Sequence, residues 1–433
     1  MARADLVVKG TLFQPDGTLA RGAFSVREGR IAAMREEPAL RTLDFGERLV
    51  APGAVDAHVH FRDPGHPQKE DFGSGTAAAA LGGVTTVMDM PNTVPPVFTR
   101  EAFDGKLAIA AAKAHVDFGL YCGLDERGEA LDVLPFASAM KVYLGATTGH
   151  LLVRDHGLVR RALVEAAKRG RTVAFHAESQ ACLERHAHLV DATFPSHAAS
   201  RPPECEAEAI QSLVEAAAGT GARVHIAHLS TAAGLEAMRG TPFSAEVCPH
   251  HLLLTEQRLS QGGRFKMNPP LRAQEDAEAL WRALGDGRIA AIASDHAPHT
   301  PAEKDVPSQA GCPSGVPGVQ TLLPVLLPFA KRGRIALPRL LDASVAGARL
   351  FGIPRKGMLS PGHDADFAVY DLAAERPVRA SEMASRAGWT PFEGMPAVFP
   401  THVALRGSLV VEEGRLVGPA GAGRFVAPEA PRG

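Results

Sequence analysis

Asp56-Ala57-His58-Val59-His60-Phe61-Arg62-Asp63-Pro64-Gly65 follows directly on the apolar run Leu49-Val50-Ala51-Pro52-Gly53-Ala54-Val55. The run reads as a strand that leads into a Pro/Gly loop. Side chains at i and i+2 of a strand point to the same face, so His58 and His60 can reach one metal ion. A single His-x-His pair also has an ordinary structural reading. What lifts this one is recurrence, because other ligand types stand at the ends of later strand-like runs.

Outward from this stretch, strand-like runs cover 54–59, 84–90, 116–121, 139–144, 172–177, 223–229, 243–248 and 289–294. Helical stretches are expected over 70–82, 101–113, 157–169, 205–219, 232–238, 274–284 and 319–332. Strands alternating with helices argue for parallel βα units, and eight strands close a (β/α)8 barrel of the TIM type. The predicted fold class is therefore α/β, with the barrel over residues 53–354. The two ends differ in style. Leu6-Val7-Val8-Lys9-Gly10 and Gly22-Ala23-Phe24-Ser25-Val26 resemble hairpin strands, as do Asp366-Phe367-Ala368-Val369-Tyr370 and Val403-Ala404-Leu405. Residues 1–52 and 355–433 are expected to form one small β-sandwich domain assembled from both termini.

In a (β/α)8 barrel, chemistry sits at the C-terminal ends of the strands. The first strand ends in His58 and His60, the fourth carries Lys141, the fifth ends in His176-Ala177-Glu178, the sixth in His225-Ile226-Ala227-His228, and the eighth in Ser294-Asp295-His296-Ala297-Pro298-His299. Five strands thus bring metal-competent side chains to one rim, and imidazole with carboxylate suits zinc or a similar divalent ion. His225, three residues from His228, is read as structural. His250-His251 either backs the ligands or only packs, and His66, His115, His186, His188, His197 and His402 are read as surface or packing residues. A lysine in an apolar strand usually snorkels or pairs with an acid. Buried near cations, Lys141 would instead lose its proton, and a neutral amine can add carbon dioxide to become an anionic, two-oxygen carbamate able to bridge two ions.

Bulk properties exclude several classes. The formal net charge of −2 gives no reason to expect nucleic acid or an anionic membrane as partner, and no apolar run approaches spanning length. Met1-Ala2-Arg3-Ala4-Asp5 has no apolar leader segment. The five cysteines, at 122, 182, 205, 248 and 312, form no CxxC and no regular spacing. The expectation is a cytoplasmic protein in a reducing compartment with no disulfide framework.

Asp56-Ala-His-Val-His-Phe-Arg-Asp-Pro-Gly65 and Ser294-Asp-His-Ala-Pro-His-Thr300 resemble the two signature motifs of dihydroorotases, within the amidohydrolase superfamily. Met90-Pro91-Asn92-Thr93, Lys266-Met-Asn-Pro-Pro-Leu-Arg272 and Gly315-Val-Pro-Gly318 match as well. The resemblance covers essentially the whole chain and implies a binuclear site. It assigns His58, His60 and Asp295 to one ion and His176 and His228 to the other, with an anionic bridge between. Family members bridge either by an aspartate after the fourth strand or by a carboxylated lysine on it. Here the loop Gly145-Ala146-Thr147-Thr148-Gly149-His150 holds no acid before Asp155, and Lys141-Val-Tyr-Leu matches the lysine type. The implied cofactors are two divalent ions, zinc first, and a carbamate on Lys141.

The implied reaction is reversible closure of N-carbamoyl-L-aspartate to L-dihydroorotate, a step of de novo pyrimidine biosynthesis. A metal-bridged water is a hydroxide near neutrality, Asp295 shuttles its proton, and Arg62 holds the substrate carboxylate bidentately. Asn92 and His299 assist Arg62. Asn268 and the backbone of Gly315–Gly318, Pro317 and Gly318 included, bond the ring edge, and Thr147 and Thr148 stand over the site. The plain alternative for Arg62 is an ion pair with Asp63. Rival readings are an allantoinase or hydantoinase, which share barrel, His-x-His and lysine, and an inactive scaffold for aspartate transcarbamoylase. The expected assembly is a homodimer acting on a small molecule, with a transcarbamoylase complex left open.

Overall fold

The computed structural model describes residues 3–147 and 151–428. Four strands come first: β1 (Ala4–Phe13), β2 (Leu19–Arg27), β3 (Arg30–Ala33) and β4 (Ala39–Pro52). Gly53 alone separates β4 from β5 (Ala54–Val59), and any Cβ there would collide with the Thr85 side chain. Then follow β6 (Val84–Asp89), β7 (Asp117–Gly123), β8 (Ala139–Tyr143), β9 (Thr172–His176), β10 (Arg223–Ile226), β11 (Ser244–Val247) and β12 (Ala291–Ile292). β5 to β12 pair in chain order as one parallel sheet of eight strands. The sheet closes on itself. Val59 bridges His296 in the parallel sense, the His60 N–H donates to the His296 carbonyl at 2.7 Å, and the Ser294 N–H donates to Asp56 Oδ1 at 3.1 Å. The eight strands of the expected (β/α)8 barrel are all present. They are apolar and buried almost throughout because both faces are covered.

The helices are α1 (Phe72–Leu81), α2 (Arg100–Lys113), α3 (His156–Lys168), α4 (Gln180–His186), α5 (Pro195–Ala199), α6 (Pro203–Ala217), α7 (Ala232–Ala237), α8 (Pro249–Leu253), α9 (Gln274–Gly285), α10 (Pro301–Lys304), α11 (Leu327–Lys331) and α12 (Leu337–Leu350). α3 shows why such stretches fold: Leu158, Val159, Ala162, Leu163 and Ala166 make one buried stripe at helical spacing. Asp155 caps its start, accepting from the N–H groups of Gly157 at 2.7 Å and Leu158 at 3.2 Å. The helix expected over 319–332 is not formed. A 3-10 turn at Val319–Thr321 and the short α11 replace it, since Pro324 and Pro328 each lack the N–H that a continuous helix needs. The barrel's last helix is α12 instead, buried against β5 and β12 through Leu340, Leu341 and Ala343 to Ala348.

After the barrel come β13 (Phe367–Tyr370), a two-stranded pair β14 (Arg376–Pro377) and β15 (Pro396–Ala397), then β16 (Pro400–Leu405), β17 (Ser408–Glu412) and β18 (Arg415–Leu416). Both ends of the chain meet in one sheet, ordered β18-β17-β16-β13-β4-β1-β2-β3. Its faces alternate residue by residue. Leu49, Ala51, Ala368 and Val403 join the barrel's core, while Val50, Phe367, Val369 and Ala404 join a separate core with Val8, Phe24 and Ile31. Phe24 and Phe367 lie three strands apart, about 14 Å in a flat sheet, yet their rings are 5.7 Å apart. The expected sandwich is thus a single sheet curled over its own core.

One expectation is overturned. Cys182 on α4 and Cys205 on α6 form a disulfide, with Cα atoms 5.2 Å apart, while Cys122, Cys248 and Cys312 are free and buried. The pairing depends on two helices packing side by side, which a 23-residue spacing does not display. Among the described residues no helix is long and apolar enough to cross a membrane.

Candidate active site

The C-terminal ends of five strands converge as the alternation implied. His58 and His60 share one face of β5 and its exit, and Asp295 follows β12 across the closure. His58 Nε2 lies 3.2 Å and His60 Nε2 3.1 Å from Asp295 Oδ1. These three ligand groups fall within 4.8 Å of one another and are buried. From β9 and the end of β10, His176 Nδ1 and His228 Nε2 approach to 3.0 Å. The His58 and His228 rings are 5.2 Å apart, which joins the two groups. Lys141, on β8, lines the same cavity.

Three of the four rings are braced from behind. His58 Nδ1 is 2.5 Å from Glu246 Oε1, His60 Nδ1 is 2.6 Å from Asn92 Oδ1, and His176 Nε2 is 2.8 Å from Glu178 Oε2. An imidazole held through one nitrogen by an oxygen, with the other nitrogen turned to a shared centre, is the arrangement metal-binding histidines use. Burial lowers His60 to about 4 and also lowers His176 and His228, which favours the neutral form that a metal ligand needs. Lys141 Nζ is buried with no hydrogen-bond partner, and burial pulls it down to about 8 despite Glu246 and Asp295 nearby. Burial opposes charge on Asp295, but His58, His60 and His228 hold it well below the usual carboxylate range. Imidazole nitrogens, a carboxylate and an unpartnered lysine fit a divalent metal centre. Asp155 does not compete with Lys141 for the bridging place, because it is exposed and engaged as the α3 cap.

The backbone is bent to serve the site. Seven non-glycine residues among those described have positive φ, and three of them are Arg62 (61°), His228 (37°) and Asp295 (44°). Such conformations cost about 1–3 kcal/mol each and persist where the surroundings enforce them.

Opposite the ligands, Arg62 lines the cavity at 5% exposure. Its contacts are neutral: Nε donates to the Pro298 carbonyl at 3.4 Å and Nη2 lies 3.2 Å from His299 Nε2. Asp63, the acid that might have paired with it, bonds Lys113 at 2.7 Å instead. Among the described residues no carboxylate stands within ion-pair distance of Arg62. Asn92, Thr147 and Asn268 also line the cavity, and Asn268 Nδ2 donates to Thr147 Oγ1 at 3.0 Å. Thr148 lies outside the described residues.

Some expected site residues stand back. His299 is behind Arg62, not on the wall; burial, then Arg62, Lys304 and Lys69, lower it strongly and keep it neutral. Pro317 and Gly318 do not reach the cavity, because the Gly318 N–H donates to His296 Nδ1 at 3.0 Å, and Ser314 and Gly315 line the wall in their place. His225 is structural, set between Ser244 and Glu246, and the buried His250 and His251 lie off the wall. Tyr143, Glu178 and Glu246 were not singled out from sequence. Tyr143 and Glu178 sit at i+2 from Lys141 and His176, so the strand period that paired His58 with His60 points to both. Glu246 shows only as an acid inside an apolar strand. The Tyr143 hydroxyl is buried without a partner on this wall.

The amidohydrolase family profile matches residues 49–410. A dihydroorotase of Halobacterium salinarum is 41% identical, over 91% of this chain and 95% of that protein. An allantoinase of Rubrobacter xylanophilus is 37% identical over the full length of both. Among solved structures, an L-hydantoinase from Arthrobacter aurescens superposes with a TM-score of 0.92 at 30% identity, over 98% of this chain and all of that one. The chain belongs to the amidohydrolase family, and its barrel carries a metal-dependent cyclic amidohydrolase site.

Proposed function

We propose that the chain is a dihydroorotase, interconverting N-carbamoyl-L-aspartate and L-dihydroorotate in de novo pyrimidine synthesis. The observation that carries this reading is Arg62, a buried guanidinium without a carboxylate of its own on a wall facing the ligand cluster. Such a cation is costly unless a substrate anion completes it, and dihydroorotate brings a carboxylate where hydantoin brings none. The curated dihydroorotases, at 34–41% identity over most of the chain, support the same choice.

His58, His60 and Asp295 would hold one divalent ion, zinc first, and His176 and His228 a second, with Lys141 between them as its carbamate. Bound there, the ions acidify a water and polarise a carbonyl. Arg62 binds the substrate carboxylate, with Asn92 beside it and neutral His299 fixing the guanidinium from behind. In the hydrolytic direction Asp295 accepts a proton at the attacked face and returns it to the departing ring nitrogen; cyclisation reverses the transfer. Asn268 and Thr147 meet the ring edge. Pro317 and Gly318 follow the wall residue Gly315 in the chain, and Gly318 is tied to His296. A homodimer, a cytoplasmic location and association with aspartate transcarbamoylase belong to the same reading.

The full-length allantoinase relative defines the second reading. Turnover of dihydroorotate, allantoin and hydantoin by one preparation, with elemental analysis, separates them. Dihydroorotate as preferred substrate with two divalent ions per chain is the expected result. Preference for allantoin or hydantoin, or only trace metal, overturns it.

A further inference from the structure

Arg201 lies in the long connection after β9, between α5 and α6, and its side chain is largely buried. Its Nη1 donates to Glu178 Oε2, the oxygen that also faces His176 Nε2 at 2.8 Å. Its Nη2 donates to the carbonyl of Ala146, in the loop after β8. The preceding peptide is held as well, since the Ala146 N–H donates to Gln180 Oε1 at 2.8 Å. The next residue is Thr147, which accepts from Asn268 on the cavity wall. Behind Arg201, Arg272 donates to its carbonyl and to Ser230 Oγ, the latter at 3.2 Å and two residues beyond His228.

We propose that Arg201 is a positioning residue that aligns two parts of the site with one guanidinium: the His176 imidazole, through Glu178, and the Thr147 wall, through Ala146. The planar fork of arginine makes this possible, because its donors point in fixed, divergent directions, whereas a lysine ammonium is a single point. Without Arg201, Glu178 keeps a buried charge beside His176 with its main partner gone, and the ring loses a fixed orientation. The Ala146 carbonyl then loses its guanidinium donor, the Gln180 bond to the preceding peptide alone remains, and Thr147 is placed less well. The inference rests on the proposed reaction for its substrate readout and on the metal site alone for its other one.

Zn²⁺ titration of metal-free wild type, Arg201→Ala, Arg201→Lys and Gln180→Ala, together with KM and kcat on dihydroorotate, tests it. Arg201→Ala is expected to weaken the second Zn²⁺ by about 10–100-fold, the range for loss of a group behind a ligand, and to raise KM. Arg201→Lys restores Zn²⁺ affinity through Glu178 but leaves KM raised. Gln180→Ala raises KM with Zn²⁺ affinity unchanged. A folded Arg201→Ala binding the second Zn²⁺ like wild type overturns the proposal. If Arg201→Ala does not fold, Arg201→Lys with wild-type KM overturns it. A wild type inert on dihydroorotate would sink the reaction proposed above, while the Zn²⁺ titrations would still judge Arg201.

Discussion

Two buried clusters of ionisable groups sit at opposite ends of the barrel, and each is built around a lysine. At the C-terminal rim Lys141 Nζ has no hydrogen-bond partner, among four imidazoles and a carboxylate. At the N-terminal end Lys356 lies 2.7 Å from Asp366 and 2.9 Å from Asp364 and also bonds Asp117, the first residue of β7, which Arg406 bonds too. Asp117, Asp364 and Asp366 are spaced closely enough to hold an ion, as His58, His60 and Asp295 are. At the lower cluster the chain supplies the cation itself. Its lysine is raised: burial works against the charge, and the three aspartates outweigh burial. The upper lysine is pulled down to about 8. A group of ligand types is therefore not a site by its composition; the upper cluster differs in leaving its ammonium without a hydrogen-bond partner. The comparison also follows the barrel's division of labour, chemistry above and stability below.

The comparison is broken most directly at the upper lysine and its neighbour. Lys141→Ala should lose turnover and bound metal together, with short carboxylic acids partly restoring both; full activity would remove Lys141 from the centre. Asp295→Asn should reduce kcat by at least the roughly 10²–10⁴-fold of a lost proton carrier, and near-normal turnover with both ions bound would remove it from that role. Next comes Arg62→Met, measured on dihydroorotate and on dihydrouracil, which lacks the carboxylate. The charged substrate should lose about 3–5 kcal/mol of transition-state binding, the scale for breaking a buried pair, and the uncharged one far less. Equal losses would show that Arg62 does not read the carboxylate. At the lower end, Lys356→Met removes the one cation that all three buried aspartates share, leaving Arg406 on Asp117 and Arg355 on Asp364. Chemical denaturation should show a loss of about 3–5 kcal/mol with metal stoichiometry unchanged; a change in metal content would erase the distinction between the clusters.

The smallest effect is a pH dependence. Lys356 is raised in the folded state, so its contribution is complete below the unfolded lysine value of about 10.4 and is lost as pH climbs through the higher folded value. Wild-type stability should fall across that alkaline window, and Lys356→Met should fall less steeply. Parallel curves for the two proteins would show that the ammonium is not what the aspartates hold.

Much of the upper cluster was legible because it obeys local rules. His58 and His60 are two apart on a strand, and Lys141, His176, His228 and Asp295 each stand on or just after an apolar run. The lower cluster was not legible, since Asp117 and Lys356 are 239 residues apart and meet only when the curled sheet docks on the barrel. Glu246 was hidden for the same reason, 188 residues from His58. Arg201 carries no sign in sequence that it reaches two neighbouring loops. Over 319–332 apolar spacing outweighed two prolines, and the prolines prevail in the structure.

The barrel's closure carries a consequence for how the protein comes to exist. His60 and Asp295 face each other across the junction of first and last strands, 235 residues apart in sequence. Bringing such distant segments together is slow, because the entropy of a long loop is lost before any contact rewards it. His58, His60 and Asp295, the ligands proposed for one ion, therefore assemble only when the last strand has docked, so an ion they shared would clasp a finished barrel. During synthesis the nascent chain carries His58 and His60 long before Asp295 is made, so the proposed ligand set is complete only with the last strand.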